Sequence, residues 1–573
     1  MSAQEHSSND AGTQMLGSAL AKVALVCFLL FMFVVGAWIA GTAYHDPDTC
    51  WLLGLGRYIF THRALPTTDP FSFTFASGAA KPFVMYQWLT ELVFYLCVHV
   101  GGLISLLSMV ALLFYFAFFC IPMISFEKLG VSRLRTFSLV TLAFASASFH
   151  TLVRPEVVSY LLLSCWLAMM IDMRLSDEKL GPGASVSSAD NAEPGASCTT
   201  QEKGGQGASL SPRIEWRLVG GFCLLIMIWC NMHTGFTIPL VILSLYVIVD
   251  SLQWLFSKDR GSYPYATAVC ALVAVLLSTL INPNGLALWQ YIPALFFSPI
   301  NRFIVELRPF SGSFSDITYY PFIVLSIIAV ADCINMLSKS SRKPRASWFS
   351  PVLIGVLIFL AFYCRRLIPF HAIALIFECA WMRAHRDVPS NNGVIEYANQ
   401  KLKQMFSPNL AWVAVTAGIV ILGAIAVATG KETRPHVPQS GAAFQDPKEV
   451  IDYLKQHPPA GHGFNWPEFG DVMIWQMDPV PQIFIDTRYD MYGAAIVNQC
   501  IGIATCKPGW RELLDQYKID WVFVGPKLPL ARQLSADPGW TKVVDSAAAV
   551  YFTRKPSVRV DLIPNPAPVS TKL

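Results

Sequence analysis

Apolar runs long enough to cross a lipid bilayer recur through most of the first 430 residues of this chain, and nothing else constrains its fold as strongly. A helix of about 20 apolar residues matches the ~30 Å hydrocarbon core of a membrane. Lipid offers no hydrogen-bond partner, so such a run must satisfy its own backbone as a helix. Only 14% of residues are charged and 54% are hydrophobic, against roughly a quarter charged in soluble domains. That balance excludes a soluble globule. The net charge of +4 is small and scattered, so no nucleic-acid partner is expected.

The first run, residues 15–40, exceeds a signal-peptide core and reads as a retained transmembrane helix. The polar residues 1–14 before it are expected to be disordered. Later apolar segments at 136–150, 157–171, 218–231, 236–256, 265–281, 320–337, 349–364, 367–382 and 410–429 bring the total to about eleven net crossings. The segment 84–120 is too long for one straight span and carries Gly101-Gly102 in its middle. Hydropathy allows two full spans or one bent, partly re-entrant element. Lys128, Arg133 and Arg135 arbitrate: the positive-inside rule makes them cytoplasmic, which leaves one net crossing if the N-terminus is inside. The later basic groups, around Lys258, Lys339 to Arg345 and Arg383 to Lys403, fall inside on the same count. Residues 176–211, rich in Gly, Ser and Ala, read as a disordered cytoplasmic linker.

An odd number of crossings puts residues 431–573 outside the cytoplasm. There DPKEVIDYLKQH and WRELLDQYK read as helices, and IFIDTR, IDWVFVG and AAVYFTR as strands. The expected fold is therefore an α-helical polytopic membrane domain over 15–430 with an extracytoplasmic α/β domain over 431–573. Of the 14 cysteines, most lie in or beside apolar runs and read as small buried hydrophobes. Cys500 and Cys506 lie in the outer domain, where a local disulfide is expected.

The first outer loop, 42–90, places Asp46 and Asp48 just beyond the first span. Trp51, Leu52, Leu55, Tyr58 and Ile59 then recur at the spacing of a helix lying in the interface. Asp69 follows in the turn TTDP. Carboxylates at a membrane surface are costly unless solvated, paired or used. On the same expected face stand His150, Arg154 and Glu156, then Asn231 and His233, then Asn282-Pro-Asn-Gly285 with Arg302, Glu306 and Arg308, then Arg365, Arg366 and His371. Acids, arginines and histidines together suit a site that binds an anion and moves a proton. Arg365-Arg366 breaks the charge rule; the pair either snorkels to headgroups or grips a phosphate, with Arg154 as a third candidate. The plainer readings are an Arg154–Glu156 ion pair, structural histidines, and NPNG as a helix-ending turn. Glu91 and Glu378 fall inside apolar segments.

Three stretches, DPDTCWLLGLGRYI (46–59), PTTDPFSFT (66–74) and WLTE (88–91), carry a resemblance to the GT-C superfamily of membrane glycosyltransferases, in particular its bacterial members. RPE (154–156), NPNG (282–285), RRLIPF (365–370) and NWPEFGDVMIWQ with IFIDTRYDMY (465–492) extend it over nearly the whole chain. Cys50 stands where an aromatic residue is expected in the first motif. The resemblance implies a polyprenyl-phosphate sugar as donor, and Asp48 or Asp46 as catalytic base with inversion at the sugar. It leaves the acceptor open among glycan, lipid and protein. Asp48 is preferred because it directly precedes the interfacial helix. The superfamily has both metal-independent members and members that hold a divalent cation through outer-loop acids, so Asp46 and Asp48 are also the candidate ligands. Asp486, Arg488 and Asp490 are candidates for positioning the acceptor. The expected location is a bacterial inner membrane, with the N-terminus cytoplasmic. The rival readings are a transporter or flippase, a non-catalytic assembly protein, and a ligase that moves a whole lipid-linked glycan.

Overall fold

The computed structural model describes residues 2–43, 46–77, 83–180, 214–257, 265–307, 309–310, 319–339, 347–385, 393–405, 410–429 and 447–555. The chain forms two compact units. One comprises Met1–Asp46, Leu55–Leu65 and Val84–Arg434; the other comprises Pro47–Gly54, Pro66–Phe83 and Pro435–Leu573. The first outer loop is thus divided between them, where the sequence suggests a single segment of the membrane domain.

The first unit is helical. Among the described residues, seven of the chain's helices are long and apolar enough to cross a membrane, and four shorter apolar helices accompany them. Helix α1 (Ser2–Ala43) starts well before the apolar run, so the expected disorder over 1–14 gives way to helix. Once the apolar span is helical, its extension needs no new nucleus. Helix α2 (Asp48–His62) is divided at Gly54 between the second unit and the first, and the short α3 (Phe73–Ser77) belongs to the second. Gly56 of α2 lies against the backbone of Glu91, where an added Cβ would sit 2.2 Å from the Glu91 carbonyl oxygen.

The segment after Val84 is a helical hairpin. Helix α4 (Trp88–Tyr115) loses helical geometry at Gly101 and Gly102, and Gly102 has φ +65°. Across the break, Cys97 Sγ lies 3.3 Å from Met109 Sδ, although 12 residues separate them. A straight helix would set them about 18 Å apart, so the chain turns back. Only glycine enters that left-handed region freely. The first arm, 88–100, has a length of about 20 Å, short of a bilayer, whereas the run from 103 through a π turn and α5 (Ile121–Lys128) reaches about 39 Å. This is the bent, re-entrant alternative.

Helices α6 (Arg133–Ala147), α7 (Glu156–Leu180), α8 (Trp216–Met232), α9 (Thr237–Leu255) and α10 (Ala266–Ser278) continue the unit. Helix α11 (Leu286–Phe296) is apolar but lies outside the expected crossings. Then come α12 (Tyr319–Lys339), α13 (Phe349–Tyr363), α14 (Ile368–Ala384), α15 (Gly393–Met405) and α16 (Leu410–Ala428). The expected linker 176–211 lies outside the described residues from 181 onward.

Two features show how the helices are held. Helix α14 is buried from Ile368 to Met382 without a break, as a helix that is apolar on nearly every face is at the centre of a bundle. Helices α1 and α16 meet at glycines: a Cβ on Gly423 would stand 2.1 Å from the Phe33 carbonyl oxygen, and one on Gly36 would stand 2.0 Å from that of Val420. Small residues let backbones touch where hydrophobic burial cannot drive association in lipid. Glu378 of α14 is paired with Arg174 of α7 at 2.9 Å, and both bond Ser350.

The second unit carries a four-stranded sheet in the order β1 (His462–Asn465), β2 (Ile519–Val524), β4 (Val550–Arg554), β3 (Trp540–Asp545). β1 runs parallel to β2, and both pairs involving β4 are antiparallel. Helices α17 (Lys448–Gln456), α18 (Pro467–Gln476), α19 (Tyr489–Ala504), α20 (Trp510–Gln516) and α21 (Pro529–Ala536) complete the α/β unit. IFIDTR is not a strand of this sheet. The Asn465 side chain intercepts it, accepting from Phe484 N at 2.8 Å and donating to the Ile485 carbonyl at 2.6 Å. The disulfide expected between Cys500 and Cys506 is absent, and both thiols are free. Cys500 is buried in α19, while Cys506 sits beyond the helix end at φ +55°.

Candidate functional site

Chemistry-bearing side chains gather in each unit. In the helical unit, Asp46 follows the end of α1 and is buried. Arg154, in the turn before α7, grips it with both arms of its fork: Nε donates to Oδ2 at 2.6 Å and an Nη to Oδ1 at 3.1 Å. Its other Nη reaches Glu306 at 3.3 Å. His150 Nε2 meets the same Glu306 oxygen at 3.3 Å, and its Nδ1 faces the Tyr160 hydroxyl at 3.3 Å. Burial alone would raise the Glu306 carboxyl; Arg154, the bond from His150 and the charge of Arg365 instead hold it at about 2. Glu306 is thus an anion bonded to Arg154 and held low further by the charge of Arg365.

Beside this network Glu156, the first residue of α7, is paired with Arg366. His233 Nε2 lies 4.0 Å from Glu156 Oε1. His233 Nδ1 accepts from the Gly235 backbone N–H at 3.0 Å, so a neutral ring carries its proton on Nε2, toward Glu156. Ser159 contacts that Nδ1 at 2.8 Å and accepts from Trp229 at 2.6 Å. The Arg365 guanidinium lies over the rings of Phe149 and Tyr319, 4.7 and 5.4 Å from their centroids. Arg154 is 16% exposed and Arg366 30%, so both keep a face for an incoming anion.

Other expected residues stand apart from this network. Asn282 builds its own turn, donating to the Thr279 carbonyl and accepting from Asn284 N. That is the work of a helix-ending turn. Asn231 accepts from the Trp88 indole at 3.0 Å and donates to the Ile281 carbonyl. His371 is buried within α14, and no described hydrogen bond joins it to Arg154 or Glu306. Glu91 is buried in the first turn of α4. Arg308 lies outside the described residues.

In the second unit Asp48 opens α2 and is half-buried. Its Oδ1 accepts from the Thr487 hydroxyl at 2.8 Å. The same hydroxyl lies 2.9 Å from Asp471 Oδ2. Glu468 lies one helical turn before Asp471; burial, and then the charge of Asp48, push it up to about 7. Nearby, Arg488 binds Asp486 through Nε at 2.9 Å and Asp69 through Nη2 at 2.8 Å. The Tyr492 hydroxyl donates to Asp486 at 2.8 Å, and Ser72 N donates to Asp69 at 2.8 Å. Asp69 and Asp486 are thus drawn together by one buried guanidinium, which ties residues 66–77 to the strand-like IFIDTR.

Thr487, Asp471 and Glu468 were not singled out from the sequence. A signal existed for Asp471, an acid between apolar residues in FGDVMI. Among the described residues, no three His, Cys, Asp or Glu side chains converge as a bound metal ion requires. The donors on hand suit an anion and a proton.

No family model matches the sequence, and no curated protein matches it. Solved structures resemble it at a distance. The chain is similar to ArnT from Cupriavidus metallidurans bound to undecaprenyl phosphate, at 14% identity over 93% of this chain and 98% of that one, with a TM-score of 0.45. It is similar to the archaeal oligosaccharyltransferase AglB from Archaeoglobus fulgidus in complex with an inhibitory peptide and a dolichol-phosphate, at 9% identity over 87% and 69%, with a TM-score of 0.48. It also resembles the arabinofuranosyltransferase AftD from Mycobacteria, at 14% identity, 92% coverage and a TM-score of 0.46. The match spans about 41% of the length of AftD. At these identities and TM-scores the likeness identifies neither activity nor substrate.

Proposed function

We propose that this protein is a membrane glycosyltransferase that moves a sugar from a polyprenyl-phosphate carrier to an acceptor on the extracytoplasmic face. The observation that carries the reading is the pairing of Arg154 with Asp46 and Glu306, beside Arg366 on Glu156, at helix ends of a polytopic unit. Charges are costly in such a protein unless they are paired or used. Guanidiniums that keep an exposed face offer fork-shaped donors to a phosphate. The sequence resemblance to GT-C enzymes points the same way.

Glycosyl transfer needs a base at the acceptor and charge stabilisation at the departing phosphate. Asp46 is a poor base, because Arg154 occupies both of its oxygens. Asp48, half-buried with a hydroxyl partner, is the better one. In this reading the acceptor O–H or N–H gives its proton to Asp48 as the acceptor attacks the anomeric carbon. The bond to the phosphate breaks, the configuration inverts, and Arg365, Arg366 and Arg154 hold the released phosphate. No metal is required in this scheme.

The test uses purified wild type, Asp46→Asn, Asp48→Asn and the Arg365→Ala/Arg366→Ala double variant. It measures thermal stabilisation by polyprenyl-phosphate and release of that lipid from a panel of polyprenyl-phosphate sugars. Asp48→Asn should lose turnover by about 10²-fold or more and keep lipid stabilisation; the double variant should lose the stabilisation. Full turnover in Asp48→Asn would remove it as base, and no stabilisation or release across the panel would remove the donor class. A transporter is the rival reading, and the buried Arg174–Glu378 pair is the feature that favours it. It predicts lipid-linked substrate movement that survives Asp48→Asn.

A further inference from the structure

The Thr487 hydroxyl stands between two carboxylates, 2.8 Å from Asp48 Oδ1 and 2.9 Å from Asp471 Oδ2. Each of these oxygen–oxygen distances requires a proton between the atoms. A threonine hydroxyl has one proton to give. With both acids ionised, the single hydroxyl proton would have to be split between two anions; a proton on one of the two carboxyl groups gives each contact its own.

The surroundings choose which. Asp471 is fully buried in α18, while Asp48 is half-buried at the start of α2. The groups whose charges act on Asp471 are Asp486 from the extended segment before α19 and Asp48 from α2, and Tyr489 of α19 lies close to it. The neighbouring guanidinium of Arg488 gives its Nε and Nη2 to Asp486 and Asp69. Asp471 is therefore under the charges of two acids, and among the described residues no guanidinium contact reaches it. Its remaining oxygen accepts the Thr487 backbone N–H at 3.2 Å. Burial, followed by the charges of Asp486 and Asp48, drives the Asp471 carboxyl well above its ordinary range, in agreement with the proton count.

We propose that Asp471 is a neutral carboxylic acid whose O–H donates to the Thr487 hydroxyl, which in turn donates to Asp48, holding Asp48 ionised and oriented. Asp471 and Thr487 are positioning residues, and their role in turnover rests on the reading of Asp48 as base. The arrangement moves no atom. It leaves Asp48 Oδ1 as a permanent acceptor, so that its carboxylate meets the acceptor's proton in one orientation.

Two measurements on the full-length protein in lipid nanodiscs test this. The first is an infrared difference spectrum, wild type minus Asp471→Asn, near neutral pH. A carboxylic-acid C=O band assigned to position 471 is expected. It should shift in Thr487→Val, where the acid loses its acceptor, and return in Thr487→Ser. Absence of the band overturns the proposal, even in an enzyme that Asp48→Asn inactivates. The second is the pH dependence of polyprenyl-phosphate release. Its acidic limb should move to higher pH in Thr487→Val, where Asp48 loses a donor, and stay in place in Thr487→Ser. In Asp471→Asn the amide N–H replaces the acid O–H, and the limb should also stay. A limb that moves to lower pH in Asp471→Asn would mean that a negative charge had been removed, which overturns the proposal. A band at 471 in a protein whose Asp48→Asn variant turns over normally overturns the positioning role together with the reading of Asp48, and so separates the two failures.

Discussion

At the scale of single residues, several buried acids of this protein are settled by a specific cationic neighbour. Asp46 has both oxygens on Arg154, and Asp69 and Asp486 share Arg488. A buried carboxylate left without such a partner pays desolvation and rises toward neutrality. Glu468 is in that position, with Oε2 lacking a hydrogen-bond partner among the described residues and its carboxyl at about 7 rather than 4.5. A carboxyl whose folded-state value is raised binds more protons folded than unfolded. Its contribution to stability is present below about 4.5 and is lost as pH climbs through about 7. Wild type should therefore lose melting temperature relative to Glu468→Gln as pH rises across that window, with the two curves parallel on the acid side. Curves that stay parallel throughout would mean that Glu468 ionises normally.

At the scale of elements, glycines set the geometry that hydropathy leaves open. Gly102 at φ +65° turns α4 back on itself, and the sulfur contact between Cys97 and Met109 records the reversal. Gly36 and Gly423 let α1 and α16 touch backbone to backbone. Gly423→Leu should destabilise the helical unit by roughly 1–3 kcal/mol, the usual cost of overpacking. Gly418→Leu on the same helix is the control, since a Cβ there meets nothing within 4 Å. Thermal unfolding in detergent checks the pair: equal melting temperatures would show that the close approach is dispensable.

At the scale of the whole molecule, the charge pattern predicts which side of the membrane each segment reaches. Lys128, Arg133 and Arg135 on one side, and an odd number of crossings, place residues 431–573 outside and 176–211 inside. In right-side-out vesicles of a cysteine-reporter series, Lys527→Cys should react with a membrane-impermeant maleimide. Ser188→Cys should react only after permeabilisation. The reverse pattern would invert the topology and remove the extracytoplasmic site.

The helical, membrane-spanning character of this chain was legible from sequence because lipid leaves an apolar run one local solution, the helix, and that solution depends on neighbours in the chain alone. The ends of those helices, and the acids just beyond the first of them, were legible for the same reason. The direction of the chain at Gly101-Gly102 was not, since hydropathy is the same for two spans and for a hairpin. Nor were the partners of the acids. Asp46 meets Arg154 at a separation of 108 residues, and Asp48 meets Thr487 at 439. IFIDTR has the alternation of a strand, yet the Asn465 side chain takes the hydrogen bonds that a ladder would have used. Which carboxylate is committed and which is available depends on where a guanidinium or a hydroxyl arrives from a distant part of the chain, and tertiary structure alone decides that.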